Sequence, residues 1–305
     1  LGLEAYMARG SYLEKAESRE ENYHHLTLLA KNQTGYENLI KLTTAAHLDG
    51  FYYKPRLDKE LLKKHSKGLI CLSGCLGSEF AQSILSKNKD KAEKIALDLR
   101  DTFGKENFYL EVMDHPNLPP TTETITKIAK KHKMPLVATN DSHYLKKDDK
   151  EAQDILLCVQ MGNKVNDKDR MCMLDGDYSL RSPEEMIKSF KDLPEAILNT
   201  QLIKDQINLE LTLGDTKLPH FEVPESYTPE SYLKHLCKKG LKKCYTTVTK
   251  KIKERLDYEL GIINEMGFAT YMLIVQDCVN WCRKQGITVN TRGSAAGSLV
   301  SYLIN

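Results

Sequence analysis

An α/β architecture is expected for roughly the first 200 residues, because short apolar runs alternate there with segments of helical periodicity, and turn residues punctuate the changes. Leu26 to Ala30 reads as a strand, and Tyr36 to Leu48 follows as a helix with Tyr36, Leu39, Ile40 and Ala46 on its apolar side. Gly68 to Leu72 is a second strand, ending at Ser73-Gly74-Cys75. Lys89 to Phe103 places Ala92, Ile95, Ala96, Leu99 and Phe103 at helical spacing and stops at Gly104, a normal signal for a helix C-terminus. Phe108 to Met113 is then a strand, Thr122 to His132 a helix, and Pro135 to Thr139 a strand closed by Asn140-Asp141-Ser142-His143. Strand, helix and strand at this spacing imply parallel βαβ units.

The chain becomes loop-like from Asp205 to Thr228, where Leu218-Pro219-His220-Phe221 and Val223-Pro224-Glu225 interrupt any periodicity. A domain boundary is expected there, giving one domain over 1–210 and another over 211–305. Beyond it, Pro229 to Tyr245, Lys250 to Met266 and Tyr271 to Lys284 read as helices, Ile287 to Val289 as a strand, and Leu299 to Ile304 as an apolar run.

Apolar residues make up 41% and charged residues 28% of the 305, a balance that excludes disordered and fibrous classes. Runs such as Gly68 to Leu72 and Tyr271 to Val275 fall far short of the roughly 18 apolar residues that a membrane helix needs, so no membrane partner is expected. Eight cysteines without dense spacing suit a reducing cytoplasm better than a secreted scaffold. Leu1 carries no initiating Met or basic leader and Asn305 ends an apolar helical pattern, so the sequence reads as an internal piece of a longer protein. Lys234 to Arg255 holds nine Lys and Arg against one acid, Glu254; this stretch meets phosphates or forms a solvated helical face.

In parallel sheets, functional side chains collect beyond the C-terminal ends of strands. Asp141 and His143 follow one strand, Cys75 follows another, and Glu4 is placed after the end of a strand whose start would precede Leu1. With His24 or His25 these residues supply carboxylate, imidazole and thiolate, the ligands that zinc accepts. Singly, each has a plainer role: Asp141 as a helix cap, Cys75 as a buried thiol, Glu4 as a solvated acid, either His on a strand edge. His47, His65, His132 and His235 read as surface residues, and His115 as a further candidate near a strand end. The second motif is Arg292-Gly293-Ser294-Ala295-Ala296-Gly297-Ser298. Its small residues let backbone N–H groups approach a polyphosphate, and Arg and Ser add donors. It has neither the Lys of a Walker loop nor a GxGxxG pattern, and a tight strand-to-helix turn is the alternative.

Taken in order, Gly2-Leu3-Glu4-Ala5-Tyr6, Tyr23-His24-His25-Leu26 through Ala30-Lys31-Asn32, Gly50-Phe51-Tyr52-Tyr53-Lys54-Pro55-Arg56, Leu72-Ser73-Gly74-Cys75-Leu76 and Ala138-Thr139-Asn140-Asp141-Ser142-His143-Tyr144 resemble the PHP domain of the bacterial polymerase III alpha-subunit family. Asn264-Glu265-Met266-Gly267-Phe268, Tyr271 to Val275 and the Arg292 to Ser298 segment are similar to the first part of that family's palm. The resemblance implies an incomplete PHP-type distorted (β/α) barrel over 1–210, lacking its first strands, followed by the start of a polymerase β-like palm. It implies metal ligation at Glu4, His25, Cys75, Asp141 and His143, and nucleotide binding at Arg292, Gly293, Ser294, Gly297 and Ser298.

Resemblance to this family further implies template-directed DNA synthesis with Mg2+, and Zn2+ or Mn2+ in the PHP domain for structure or proofreading. The implied partners are primer-template DNA, dNTPs, the sliding clamp, the clamp loader and a proofreading exonuclease subunit. Three departures from the family pattern stand out. An early HxH ligand motif and a later Asp-His would precede Leu1, the palm's catalytic aspartates would follow Asn305, and Val289-Asn290-Thr291-Arg292 is one residue shorter than the usual Gly-Pro-Gly approach. The piece by itself is therefore expected to be inactive in polymerisation. The alternatives are a stand-alone metal-dependent phosphoesterase of the PHP superfamily and a docking scaffold for an exonuclease partner.

Overall fold

The computed structural model describes residues 1–15, 23–114, 119–214 and 217–304. Its contacts divide the chain into two compact units, Leu1–Leu211 and Thr212–Asn305.

The first unit is built on a seven-stranded sheet. Its strands are β1 (Gly2–Ala8), β2 (Tyr23–Ala30), β3 (Phe51–Tyr52), β4 (Lys54–Leu57), β5 (Leu69–Leu72), β6 (Phe108–Met113) and β7 (Leu136–Thr139), in the spatial order β3-β4-β1-β2-β5-β6-β7. The pairs β5–β6 and β6–β7 are parallel, as strand–helix–strand spacing predicts. The expectation fails for β2, which runs antiparallel to both β1 and β5. A second correction concerns Glu4, which lies inside β1 rather than beyond a strand end.

Because side chains alternate across a strand, each face of the sheet has its own character. Ala5 and Met7 of β1, Leu26, Leu28 and Ala30 of β2, Phe108, Leu110 and Val112 of β6, and Leu136 and Ala138 of β7 share the larger core. That core is closed by α1 (Gln33–Leu48), α2 (Lys59–Lys64), α3 (Glu79–Leu85), α4 (Lys89–Phe103) and α5 (Pro119–His132). Asn32, Asp58, Ser78 and Asn88 start the first four by accepting a backbone N–H three residues on, which satisfies a donor that the helix leaves open. On the other face Ile70, Leu72, Tyr109 and Val137 form a small apolar cluster with Ile203, with Leu29 packed against it. The helices α6 (Lys150–Met161), α7 (Pro183–Ser189) and α8 (Pro194–Gln206) complete this unit. Of the four histidines expected at the surface, only His47 is exposed. His65 meets Asn38, His132 pairs with Glu93, and His235 of the second unit meets Tyr227.

The second unit is helical: α9 (Pro229–Cys244), α10 (Lys250–Glu265), α11 (Ala269–Lys284) and α12 (Leu299–Ile304). Leu233, Cys237, Leu256, Leu260, Leu273, Val300 and Leu303 make its core. Gly240 is the closest approach: a Cβ there would lie 2.0 Å from the Leu303 carbonyl oxygen, so a larger residue would drive α9 and α12 apart. The strand expected at Ile287 to Val289 is absent among the described residues, because an isolated run has no neighbouring strand to complete its ladder. The chain instead runs irregularly into a 3₁₀ turn over Gly293–Gly297.

Candidate metal centre and the Arg-Gly-Ser turn

The antiparallel register of β1 and β2 sets Tyr6 opposite His25 and Glu4 opposite Thr27. Glu4 and His25 are therefore diagonal neighbours on the polar face of the sheet, a spacing that longer side chains can bridge. Their contact is direct, with Glu4 Oε1 2.8 Å from His25 Nδ1. Cys75 lies just beyond β5, and its Sγ is 3.5 Å from the same ring nitrogen. The three residues offer ligand atoms that all fall within 4.8 Å of one another. Reversal of β2 explains why a residue near the start of a strand joins residues that follow strand ends.

The turn that delivers Cys75 is held from three sides. Gly74 sits at φ +86°, and a Cβ there would lie 2.8 Å from the His25 carbonyl oxygen, so the turn can press onto β2 only as glycine. Glu111 Oε2 accepts the Gly74 N–H at 2.5 Å, and the Glu111 N–H donates to Ser73 Oγ at 2.9 Å. The His25 N–H donates to the Gly77 carbonyl at 3.0 Å. Beyond β7, Asp141 takes a left-handed φ of +48°, and its Oδ1 lies 3.4 Å from His143 Nε2.

The charges are coupled. A hydrogen bond from His25 holds the Glu4 carboxyl below its ordinary pKa, with Asp141 pushing it up and His143 pulling it down. The hydrogen bond to Asp141 raises His143, and Glu4 adds to that shift. Burial, reinforced by Asp141 and Glu4, pushes the Cys75 thiol up to about 12. Burial also lifts Glu111 to about 7, while Thr139 and Gly74 pull it back and Asp141 and Glu4 add to the rise. A divalent cation fits this donor set: it would neutralise two carboxylates that repel each other and stabilise the thiolate that burial disfavours.

The structure thus brings Glu4, His25 and Cys75 together and pairs Asp141 with His143 close enough to influence Glu4. His24 alternates to the opposite face, where it lines a cavity of about 490 Å³ with Met7, Lys59, Lys63 and Glu79. His115 lies outside the described residues. Sequence reasoning missed Glu111. Its signal was there: a carboxylate in the middle of the apolar run Phe108 to Met113 is buried only with partners.

In the second unit, Arg292, Gly293, Ser294 and Gly297 are exposed. Ser298 donates its hydroxyl to Glu259 Oε2 at 2.9 Å, and the Leu299 and Val300 N–H groups donate to the same carboxylate at 3.1 and 3.0 Å. Arg255 Nε donates to it at 2.6 Å. A carboxylate of this chain therefore already satisfies the amides at the end of the turn. Glu259 too was missed, although it falls on the buried stripe between Leu256 and Leu260. A surface depression of about 470 Å³ beside the turn is lined by Tyr245, Lys251, Arg255, Gly297, Ser298 and Tyr302.

The PHP domain family matches residues 1–115, the part of the chain that holds Glu4, His25 and Cys75. Residues 231–305 match the family described as bacterial DNA polymerase III alpha NTPase domain. Both matches, and the relatives that follow, make the chain similar to bacterial DNA polymerase III alpha subunits. It is similar over its whole length to the DNA polymerase III subunit alpha of Borreliella burgdorferi at 41% identity, covering 27% of that protein. The corresponding subunits of Treponema pallidum and Thermus aquaticus are 38% and 34% identical over all of this chain, which covers 26% and 30% of them. The chain thus spans about a quarter of the length of these relatives.

Proposed function

We propose that the chain serves template-directed DNA synthesis as part of a replicative polymerase, in which a primer 3′-hydroxyl attacks the α-phosphate of a dNTP and pyrophosphate leaves. The observation that carries this reading is the end-to-end similarity of both units to polymerase III alpha subunits. Residues 1–210 form a PHP domain of distorted-barrel type, and 211–305 begin a polymerase β-like palm. Arg292, Gly293, Ser294 and Gly297 bind the triphosphate, with Arg292 as the exposed guanidinium, while the Ser298 hydroxyl stays with Glu259 and braces the turn. Mg2+ supplies charge stabilisation for the transfer when bound.

Glu4, His25 and Cys75, with Asp141 and His143, hold Zn2+ or Mn2+; the convergence of the first three and the pairing of Asp141 with His143 support this assignment. Primer-template DNA, dNTPs, the sliding clamp, the clamp loader and a proofreading exonuclease subunit are the partners, in the cytoplasm. No described helix is long and apolar enough to cross a membrane. A stand-alone phosphoesterase is not favoured, because 231–305 match the polymerase family. The test is primer extension by the full-length protein with Mg2+ and dNTPs, together with zinc and manganese titration of the wild type and Glu4→Gln. Template-dependent extension and metal binding weakened by the substitution are expected. Absence of extension overturns the polymerase assignment, and metal binding indifferent to Glu4 overturns the centre.

A further inference from the structure

All residues of β6 are buried, and Glu111 is the one carboxylate among them. A buried carboxyl opposes folding unless polar groups surround it, so its partners indicate its task. The parallel register sets Glu111 beside Val137 of β7, and alternation turns its side chain to the same face as Thr139 at the end of that strand. On its other flank, Cys71 lies beside Phe108 and Leu72 beside Tyr109, a register that carries Gly74 level with Glu111. The carboxyl thus stands between two turns that bear candidate ligands. One runs through Gly74 into Cys75, the other through Thr139 into Asp141 and His143.

Its contacts match that position. Glu111 Oε2 takes the Gly74 N–H and the Glu111 N–H reaches Ser73 Oγ, so both residues ahead of Cys75 are fixed to one point of β6. Thr139 Oγ1 is buried and makes no hydrogen bond of normal geometry to any described residue, yet it lies near enough to Glu111 to pull that carboxyl's pKa down. With Gly74 at φ +86° and pressed onto the His25 carbonyl, the turn has little freedom once its N–H is held, and Cys75 Sγ comes to 3.5 Å from His25 Nδ1. Groups that touch no metal but orient its ligands change affinity by about ten- to hundredfold.

We propose that Glu111 is a positioning residue of the metal centre, whose reach to the Gly74 N–H aims the Cys75 sulfur and so sets a preference for zinc over manganese. This rests on the reading of Glu4, His25 and Cys75 as metal ligands. The test uses the full-length protein, stripped of metal and reloaded with cobalt(II), whose bond to a thiolate adds a charge-transfer absorption band. Zinc and manganese affinities are measured beside it by competition. Glu111→Gln keeps the reach and an acceptor oxygen without the charge, whereas Glu111→Asp keeps the charge and stops one methylene short. The Gln variant should retain the band and the zinc affinity. The Asp variant should weaken the band and lower zinc affinity about tenfold, with manganese affinity nearly unchanged. A residue that only braces the fold would lower the melting temperature of Glu111→Asp while leaving the band and the zinc-to-manganese ratio as in wild type, and that result overturns the proposal. Loss of the band in Glu111→Gln also overturns it, since charge or direct ligation would then be at work. Cys75→Ala separates the proposal from the metal reading. A wild type without the band, or with one that survives Cys75→Ala, removes Cys75 from the centre and refutes both; a band that needs Cys75 but ignores Glu111→Asp refutes the positioning role alone.

Discussion

Ser298 donates its hydroxyl to Glu259, a residue 39 positions earlier, whose carboxylate also accepts the Leu299 and Val300 N–H groups and the Arg255 guanidinium. One buried acid on α10 thereby ties down the start of α12. Glu259→Ala should leave several donors unpaired and destabilise the second unit by about 3 kcal/mol in urea unfolding. Burial alone would raise the Glu259 pKa, but the Val300 N–H, Arg255, the Leu299 N–H and Ser298 outweigh it and hold the group low. A lowered folded pKa stabilises above the ordinary carboxylate value of about 4.3 and ceases to do so as pH falls through the folded value. The difference between wild type and Glu259→Gln should therefore shrink on acidification, and a constant difference would contradict the arrangement.

Arg292 is exposed, ahead of a turn in which Gly293 takes φ +67°. In the full-length protein, Arg292→Ala should weaken nucleotide binding about ten- to hundredfold, the loss of a charged hydrogen bond worth roughly 1.5 to 3 kcal/mol. DNA affinity and melting temperature should stay nearly unchanged. A parallel fall in stability would assign Arg292 to the fold instead.

Glu111 is buried with a pKa lifted to about 7, so the folded protein favours its protonated form. A raised carboxylate leaves stability untouched below its ordinary pKa and costs progressively more as pH rises towards the folded value. Glu111→Gln keeps an acceptor for Gly74 and removes that cost. With a chelator present, it should stabilise the protein by about 2 to 3 kcal/mol at pH 8 and by little at pH 4.5. A pH-independent effect in denaturant unfolding would count against this reading.

In the proposed metal centre Cys75 is the soft ligand, so Cys75→Ala should lower zinc affinity by about tenfold or more and manganese affinity far less. Because burial lifts the thiol to about 12, zinc must displace its proton, and zinc affinity should rise with pH across the neutral range. Competition titration against a chromophoric chelator measures both. Equal losses for the two metals would remove Cys75 from the coordination shell.

Much of this was legible in the sequence, since apolar periodicity located β2, β5, β6 and β7 and the long helices α1, α4, α9, α10 and α11 to within a few residues. Strand direction was not legible, because a strand reads the same whichever way it pairs. The antiparallel course of β2 alone decides that His25 meets Glu4 and Cys75 while His24 faces the opposite side. Candidate donors came from residue types: Glu4, His24 or His25, Cys75, Asp141 and His143 as possible metal ligands, and the Arg-Gly-Ser segment as a possible anion turn. For the buried acids Glu111 and Glu259 only burial was legible and not the partners, Gly74 and Ser298, which lie 37 and 39 residues away. Sequence by itself determined which groups can do chemistry and which segments form elements, because both follow from local composition. Only the tertiary structure decided which groups share a face and which carboxylates take up backbone amides, because those pairings depend on register and burial between distant segments.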